Sequence, residues 1–405
     1  MKPHRISPTG QPETIAKPSA WKQLLGYPAP VYVLVVGTFF NRLGFFVVPY
    51  MALYLSQLGY SIEQVGWCMA AYGAGTVVAS VVGGHLADTL GRKRTIVLSM
   101  MGSGVMVLLL SQVQTLPLFM VVAFLAAMFA ESYRPASHAL IADLIEDRDR
   151  IMVYALIRWA INAGWAMGPA LAGVLVKVSY TWIFVGDALT SLLFGVLALR
   201  WLPAFGKHRE VPLRHVLRAF SSMKLSMQTA FADRRFLQVF LASFPIAFIF
   251  NQTLSTLSLE VRDRGFSELD YGLILGLNGV IIILTEIPLS LWVKNQSPRL
   301  MMVIGYALIG LGFGLFVMGE GRGPLYAGIV VFTIGEMMAL LVALAYMIGL
   351  APAEMRGRYM GVWGLSWSVT MMLATSLGLQ LHARMGGGFW LLMAGLGLLS
   401  ACIML

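Results

Sequence analysis

Long runs of apolar residues alternate along this chain with short polar turns. A helix needs about 20 mostly apolar residues to cross the hydrocarbon core of a bilayer. Twelve runs approach or exceed that length, at 29–56, 61–86, 95–112, 117–142, 152–176, 180–200, 236–258, 269–293, 299–318, 325–348, 358–382 and 387–405. The pattern predicts an all-α integral membrane protein with twelve transmembrane helices, of which the last, ending without a polar tail, has the least defined boundary.

The longest polar stretch of the apolar region separates the first six spans from the last six. The predicted organisation is a cytoplasmic tail at 1–28, an N-terminal six-helix bundle at 29–200, a cytoplasmic linker at 201–235 and a C-terminal six-helix bundle at 236–405. The tail lacks the short apolar core and small-residue cleavage site of a signal peptide. The basic linker is expected to be partly helical on the membrane surface.

An internal repeat supports this division into halves. The pattern ExRxRxM at Glu146–Met152 recurs 208 residues later at Glu354–Met360, and each copy follows the fourth span of its half. Two six-helix bundles related by an axis along the membrane normal form one of the known repeat architectures of secondary transporters. The repeat therefore predicts two pseudo-symmetric halves.

Composition excludes a soluble protein. Hydrophobic residues make up 58% of the 405 residues and charged residues only 12%, whereas soluble proteins carry about 25% charged residues. The two cysteines, Cys68 and Cys402, lie in apolar runs and are interpreted as packing residues. The sequence carries no nucleotide-binding loop, metal-ligand cluster or nucleophile constellation, so neither an enzyme nor an ATP-driven pump is predicted, and no metal site.

The net charge of +10 reflects topology. With the N-terminus in the cytoplasm, 21 of the 29 Lys and Arg residues fall on the inner side, five fall outside and three lie within spans. This asymmetry is the positive-inside rule. It predicts a cytoplasmic N-terminus and no nucleic-acid partner.

The turn Gly83–Arg94, with the sequence GGHLADTLGRKR, joins the second and third spans. One interpretation is that the charges of this turn set the topology and have no other function. This pattern, however, resembles the loop signature of the major facilitator superfamily, apart from Thr89, where the family has a basic residue. The matching residues are Gly84, Asp88, Gly91, Arg92 and Lys93. The resemblance implies a conformational latch in which Asp88 pairs with Arg92 or caps a helix of the other half.

Several polar or ionisable side chains lie within predicted spans, where the cost of burying charge makes each a functional hypothesis. They are Asn41, Arg42, Glu131, Arg134, Arg158, Asn162, Asp187, Glu286 and Glu336. Glu131 with Arg134, and Arg158 with Asn162, share a helix face at spacings of three and four. These groups either pair and hold helices together, or bind a ligand, the arginines an anionic one. Asp187 is expected to be half wet near the end of its helix.

Two carboxylates stand apart. Glu286 and Glu336 have no basic residue within one helical turn in sequence. An unpaired carboxyl group at bilayer depth is expected to take up a proton near neutral pH. Both are therefore candidates for proton coupling or substrate binding.

The fifth span contains GWAMGPALAG, with small residues that let another helix approach and a proline that bends the helix. This stretch can be read simply as a packed, kinked helix. It also resembles the antiporter signature of major facilitator drug exporters. The matching residues are Gly164, Gly168, Pro169 and Gly173, with one alanine where the family more often has a second glycine.

The fourth span departs from those exporters, which carry an arginine about twelve residues before the proline, where this chain has alanine. Glu131 and Arg134 beside Pro135 resemble instead the MdtH-like multidrug exporters, a subgroup of bacterial drug:proton antiporters. The pair Gly335–Glu336 and the turn Arg356–Gly361 add to that likeness.

Most aromatic residues are expected to pack or to face lipid. Trp363 and Trp367, four residues apart in the eleventh span, are candidates to line an apolar substrate cavity.

The sequence and the resemblance together predict a multi-pass secondary transporter of the bacterial inner membrane that exports small amphipathic or drug-like compounds by alternating access. The resemblance implies that a proton gradient drives it, without a cofactor, and its expected partners are the small-molecule substrate, protons and lipid. A monomer is expected. One alternative is a selective carrier of one metabolite, for example an anion held by Arg42, Arg134 or Arg158. The others are a lipid flippase and a non-transporting membrane sensor.

Overall fold

The computed structural model describes residues 26–204, 231–293, 295–350 and 356–405. Within these ranges it contains fourteen α-helices and no β-strand. In chain order they are α1 (Ala29–Leu43), α2 (Val47–Gln57), α3 (Ile62–Thr89), α4 (Arg92–Leu110), α5 (Leu116–Leu144), α6 (Asp147–Val178), α7 (Thr181–Trp201), α8 (Arg234–Asn251), α9 (Thr256–Asp263), α10 (Glu268–Val293), α11 (Pro298–Gly314), α12 (Arg322–Leu350), α13 (Arg356–Met385) and α14 (Gly388–Met404). Most of the predicted tail and linker lies outside the described residues, so those two boundaries stay predictions.

The helices support a twelve-span fold. Eleven helical segments of the described chain are long and apolar enough to cross a membrane. The twelfth, α14, is apolar but has only 17 residues, which reach about 26 Å against a hydrocarbon core of about 30 Å. It packs against α8 and α11, and its Trp390 is fully buried. The predicted all-α fold is confirmed, and α14 is its shortest span.

Two spans that the sequence predicts as continuous helices are broken. The first consists of α1 and α2, with a gap at Gly44 where α7 presses in so closely that a Cβ would lie 1.8 Å from Thr190 Oγ1. The seventh, Arg234–Leu254, consists of α8 and a 3-10 turn at Gln252–Leu254, and α9 follows beyond the span at the far end. There the side chain of Gln252 donates to the carbonyl of Ala374 in α13 at 3.1 Å. Apolar residues continue across the first gap, so hydropathy gives no sign of it, whereas the second gap coincides with the mainly polar stretch Asn251–Thr256.

The two predicted halves meet mainly through two helix pairs, α6 with α10 and α3 with α13. We call the end of the bundle with the α3–α4 turn the loop end, and the opposite end the far end. Small residues bring the backbones together: a Cβ on Gly279 of α10 would lie 2.4 Å from the Cα of Ala166 in α6. Likewise, a Cβ on Gly73 of α3 would lie 2.9 Å from the Cα of Met372. Close approach of this kind is how helices gain packing energy in lipid.

A charged cluster ties three spans of the C-terminal half together at the far end. Glu260 of α9 lies 2.6 Å from Arg264 and 2.6 Å from His382 Nε2 of α13. Arg264 also donates to the carbonyls of Phe316 and Gly319, at 2.8 Å each, after α11. Burial raises the pKa of Glu260, but the hydrogen bonds from His382 and Arg264 and the charge of Arg264 outweigh it and lower the pKa from 4.5 to about 2. The carboxylate is therefore a structural anion.

Replacing Glu260 with Gln should destabilise the protein by about 3 kcal/mol, because it leaves the buried Arg264 without its anion. Since the folded pKa lies below the unfolded one, Glu260 contributes its full stabilisation above pH 4.5 and loses it as the pH falls towards 2. Thermal unfolding in detergent across this range should show the loss in the wild type and not in Glu260→Gln. Asp263→Asn, at an exposed carboxylate of the same helix, is the matched control. Equal melting curves would exclude a structural role for the cluster.

Candidate functional site

A cavity of about 210 Å³ lies between the two halves near the middle of the bundle. Its walls come from α6, the broken seventh span, α10 and α12. The apolar part of the lining consists of Ile161, Trp165, Phe250, Leu254, Leu275, Ile282, Ile329 and Phe332. The polar part consists of Asn162, Thr253, Asn278 and Glu336, and no Lys or Arg is among the lining residues. An apolar cavity with a few convergent polar groups is the usual form of a small-molecule site.

Glu336 is held by an amide from the neighbouring helix. Asn278 of α10 donates from Nδ2 to Glu336 Oε2 at 2.8 Å and to Thr333 Oγ1 at 2.9 Å. Among the described contacts, no ion pair to Glu336 is found. The contacts therefore agree with the expectation that Glu336 lacks a basic partner. The structure also shows that Glu336 lines the cavity.

The same expectation is wrong for Glu286. Its Oε1 lies 2.7 Å from Arg158 Nη2 of α6, and its Oε2 accepts a hydrogen bond from Asn162 Nδ2 at 3.3 Å. The basic partner comes from the other half of the molecule, so no spacing along α10 could reveal it. The face shared by Arg158 and Asn162 was predicted, and both residues use it to hold Glu286.

This ion pair lies on the loop-end side of the cavity. Helix α6 runs from the loop end to the far end and α10 runs back, so Arg158 and Glu286 are nearer the loop end than Asn162 and Asn278. On the far-end side the same two helices meet at glycines: a Cβ on Gly272 would lie 2.3 Å from the carbonyl oxygen of Pro169. The cavity is thus enclosed along α6 and α10 by an ion pair on one side and tight backbone packing on the other.

Glu131 is the centre of a network inside the N-terminal half. Arg134 Nε lies 2.7 Å from Glu131 Oε2, as the shared helix face predicts, and Arg42 Nη2 of α1 lies 3.3 Å from Oε1. Arg42 also donates to the hydroxyl of Tyr133 at 3.4 Å. Next to it, Asn41 Nδ2 donates to Ser191 Oγ of α7 at 3.3 Å. These contacts join three spans, and they match the interpretation that the charges pair with one another.

Asp187 is not half wet, contrary to expectation. It is 7% exposed and accepts a hydrogen bond from the backbone N–H of Val47 at 3.2 Å. Its position near one end of the sixth predicted run suggested access to water. In the structure, the chain between α1 and α2 covers it. Sequence reasoning underrated this residue because it did not detect the break.

The glycines of the antiporter-like stretch lie at helix contacts. A Cβ on Gly164 would lie 2.7 Å from Arg42 Cβ, and one on Gly168 would lie 2.7 Å from the carbonyl oxygen of Leu43, both in the first span. Gly173 faces the other half, where a Cβ would lie 2.8 Å from the Cα of Leu269. Pro169 is inside α6, and its carbonyl accepts a hydrogen bond from Tyr50 at 2.9 Å. The stretch therefore packs α6 against both the first span and α10.

At the loop end, Asp88 Oδ1 lies 3.4 Å from Arg92 Nη1, which is one of the two predicted contacts of the latch. Arg92 also lies 3.2 Å from Asp143 near the end of α5, an acidic partner that the motif did not include. Gly91 has a φ of 89°, a conformation suited to glycine. A Cβ on Gly84 would meet no described atom within 4 Å, whereas the preceding Gly83 is packed against Ser132.

Other parts of the predicted latch and repeat are less complete. Among the described contacts, Lys93 forms no ion pair. The second form of the latch, in which Asp88 caps a helix of the other half, stays a prediction, and residues 351–355 just before α13 lie outside the described ranges. The second copy of the repeat, Glu354–Met360, begins there, so its likeness to the first copy stays a prediction.

The two candidate cavity tryptophans do not line this cavity. Trp363 donates from Nε1 to Ser243 Oγ of α8 at 2.8 Å, so it holds α13 to the seventh span. Trp367 lies behind Phe250, with ring centroids 5.8 Å apart. The aromatic walls are instead Trp165, Phe250 and Phe332. Helical spacing correctly predicted that the two tryptophans share one face of α13. That face is turned toward α8 and not toward the cavity.

The fold and site are those of a multi-pass membrane transporter, and the comparison with known proteins identifies its family. A model described as Major Facilitator Superfamily matches residues 34–375 and, in an overlapping match, 260–405. The chain belongs to the Major Facilitator Superfamily. It is a transporter and not an enzyme.

Individual relatives differ in what they are named for. The chain is 27% identical to the Na(+), Li(+), K(+)/H(+) antiporter of Planococcus maritimus over 392 residues, which cover 90% of this chain and 92% of that protein. It is 25% identical to the quinolone resistance protein NorA of Staphylococcus aureus over 170 residues, 42% of this chain and 44% of that protein. A solved structure of the peptide transporter POT in complex with sulfate is similar with a TM-score of 0.77 at 17% identity, covering 94% of both chains. That last likeness concerns the fold alone.

The pair Arg158–Glu286 should stabilise closure of the cavity at the loop end. Because Arg158 is 45% exposed, the pair is worth about 1 kcal/mol, so either Arg158→Gln or Glu286→Gln should raise loop-end access about fivefold. A cysteine at Ile282, with Cys68 and Cys402 replaced by Ser, reports access through its rate of labelling by a membrane-impermeant maleimide. The swap of Arg158→Glu with Glu286→Arg should restore the slow rate.

The control for this measurement is Arg262→Gln, which removes an exposed ion pair outside the cavity. Labelling that stays at the wild-type rate in both single variants would show that the pair does not hold the halves together.

Proposed function

We propose that this protein is a proton-coupled exporter of small amphipathic compounds that works by alternating access. The observation that carries the proposal is Glu336, a carboxyl group in an apolar cavity between the halves, hydrogen-bonded by Asn278 and without an ion pair among the described contacts. Such a group can bind either a proton or a cationic substrate, but not both at once. Because the proton and the cationic substrate compete for the same group, binding of one releases the other, which is the basis of exchange.

The contacts on either side of the cavity support alternating access. The halves rock about a central site when contacts on one side open while those on the other side close. The ion pair Arg158–Glu286 joins two side chains, so it can break while the backbones of α6 and α10 keep their shape. On the far-end side the two helices meet through backbone atoms at glycines, so those contacts separate together when the helices move apart. The turn with Asp88 and Arg92 is then the latch that favours one state.

Orientation follows from charge. The loop end carries Arg92, Lys93 and Arg94, and the positive-inside rule puts such a turn in the cytoplasm. We place the protein in the bacterial inner membrane as a monomer with a cytoplasmic N-terminus. One proton that enters down a potential of about 100 mV contributes roughly 2.3 kcal/mol. This supports a substrate gradient of a little under two decades, since about 1.4 kcal/mol corresponds to tenfold, and no cofactor is needed.

Two relatives agree with parts of this proposal. The Planococcus maritimus protein is named as an antiporter that uses protons, and NorA as a quinolone resistance protein. Placement among MdtH-like exporters continues to rest on the sequence likeness around Glu131, Arg134 and Pro135.

The cavity does not favour a carrier of anionic metabolites. That alternative assigned the anion to Arg42, Arg134 or Arg158. Each of these arginines is bound to a glutamate of the protein, and none lines the cavity. A lipid flippase or a sensor has no specific support in the described contacts.

A second candidate is exchange of a monovalent metal cation for protons. Glu336, Asn278 and Thr333 bring a carboxylate, an amide and a hydroxyl together, and oxygen atoms are the ligands that hard cations prefer. The Planococcus maritimus relative is named for Na(+), Li(+) and K(+). A cavity with apolar walls favours the amphipathic substrate over the bare ion.

Proteoliposomes with an imposed pH gradient and an internal pH dye separate these functions. Proton movement that starts on addition of tetraphenylphosphonium or another lipophilic cation supports the exporter. Movement that starts only with Na⁺, Li⁺ or K⁺ supports the metal-cation antiporter. Silence with both sets, in vesicles shown to contain folded protein, contradicts both.

Glu336→Gln should abolish substrate-driven proton movement, because glutamine neither binds nor releases a proton, while an uncharged amphipathic ligand should still bind. The dye assay and ligand-induced quenching of tryptophan fluorescence measure the two effects separately. Glu320→Gln, at an exposed residue between α11 and α12, is the matched control. Full coupling in Glu336→Gln would move the proton site elsewhere.

Asp88→Asn should reduce turnover by at least about tenfold, equivalent to about 1.4 kcal/mol, because it weakens the latch contact with Arg92. Membrane expression should change much less. Transport normalised to protein amount measures this difference, with the exposed Glu63→Gln at the start of α3 as control. Turnover equal to wild type would remove the latch role from Asp88.

A further inference from the structure

The break in the first span exposes a helix N-terminus inside the N-terminal half. Helix α2 starts at Val47, and its N-cap residue, Phe46, offers no side-chain acceptor. The first N–H groups of a helix need acceptors when they are buried. Asp187 of α7 supplies one, because its Oδ2 accepts the N–H of Val47 at 3.2 Å. The cap of α2 is therefore a carboxyl group from another span.

This carboxyl group is buried without a cation of its own. Three titratable or charged groups line the same small cavity: Arg42 from the first span, Tyr72 from α3 and Glu131 from α5. Arg42 directs Nη2 to Glu131 and to Tyr133, and Glu131 has Arg134 as a second partner. Among the described contacts, no ion pair to Asp187 is found.

The cavity itself fits one water molecule. It measures about 20 Å³, and a buried water needs roughly 10–15 Å³ and two to four polar partners. Asn41, Ser103 and Ser191 line it together with Asp187. Arg42, which is 4% exposed, also has its Nε buried without a protein acceptor. A water here can accept from Arg42 Nε and donate to Asp187.

We propose that Asp187 is a second proton-binding residue of this transporter, located in the N-terminal half and connected through one water to Arg42. A buried carboxyl group without a cation partner escapes the cost of its charge by holding a proton. When Asp187 releases its proton through that water to the aqueous phase, the carboxylate strengthens the cap on Val47 and attracts Arg42 away from Glu131. Protonation of Asp187 is thus coupled to the break in the first span. The inference concerns proton binding and stands whether or not the substrate is amphipathic.

The opposing interpretation is a permanently ionised helix cap. A helix N-terminus stabilises a negative charge, so the cap alone does not decide between the two forms. Infrared spectroscopy does, because a protonated carboxyl group has a C=O stretch that a carboxylate lacks. Asp187→Asn is a suitable variant, since the amide oxygen still accepts the N–H of Val47.

The experiment compares difference spectra of reconstituted protein between acidic and alkaline buffer, in the Glu336→Gln background and with Asp187→Asn added. A C=O band that is lost at alkaline pH and absent in the double variant is the expected result. Asp263→Asn, an exposed control, should keep the band. Identical spectra with and without Asp187 would overturn the proposal.

A second measurement avoids mutation of Asp187. Protein labelled with carboxyl-¹³C aspartate should show the same band shifted to lower frequency, and a band that does not shift belongs to a glutamate and contradicts the proposal. In the transport assay, Asp187→Asn should flatten the acid limb of the pH profile. Because the spectra need no substrate, failure of the proposed exporter activity and failure of this inference are distinguishable.

Discussion

Charge inside a membrane protein has to be neutralised, and in this protein most neutralising contacts run between helices. Glu131 is shared by Arg42 and Arg134, Glu286 is bound by Arg158, and Asp187 takes a backbone N–H from α2. Breaking one partner leaves an uncompensated charge in low dielectric, which costs more than the pair contributes when intact. These contacts therefore fix which helices are neighbours. The broken first span takes part in two of them, with α5 through Arg42 and with α7 through Val47.

Helix α6 connects the charge network with the cavity between the halves. Its glycines let the first span approach from one side and α10 from the other. Between these contacts, Asn162 and Trp165 reach the cavity, while Arg158 reaches across to Glu286. A movement of α6 relative to α10 therefore changes the cavity and the ion pair together. The stretch that resembles an antiporter signature acts here as a packing surface common to both halves.

The two halves use their carboxyl groups differently. In the C-terminal half, Glu336 faces the cavity and is positioned by Asn278, which is the arrangement that the proposed competition between a proton and a ligand requires. In the N-terminal half, Asp187 faces a space of about one water and a helix end, so the proposed protonation there would act on the first span. Glu260, at the far end, is held by Arg264 and His382 and serves structure. The role assigned to each carboxyl group thus follows from the groups and spaces that surround it.

The sequence alone determined the class of protein, the approximate positions of the helical spans and the basic turn, because hydropathy and local spacing are properties of consecutive residues. It also predicted contacts within one helix, such as Glu131 with Arg134. Only the tertiary structure decided the partner of Glu286, the burial of Asp187 and the cavity wall formed by Trp165 instead of Trp363. Each of these depends on which face of one helix meets which face of another. That choice is made by packing between residues far apart in the chain, where periodicity carries no information.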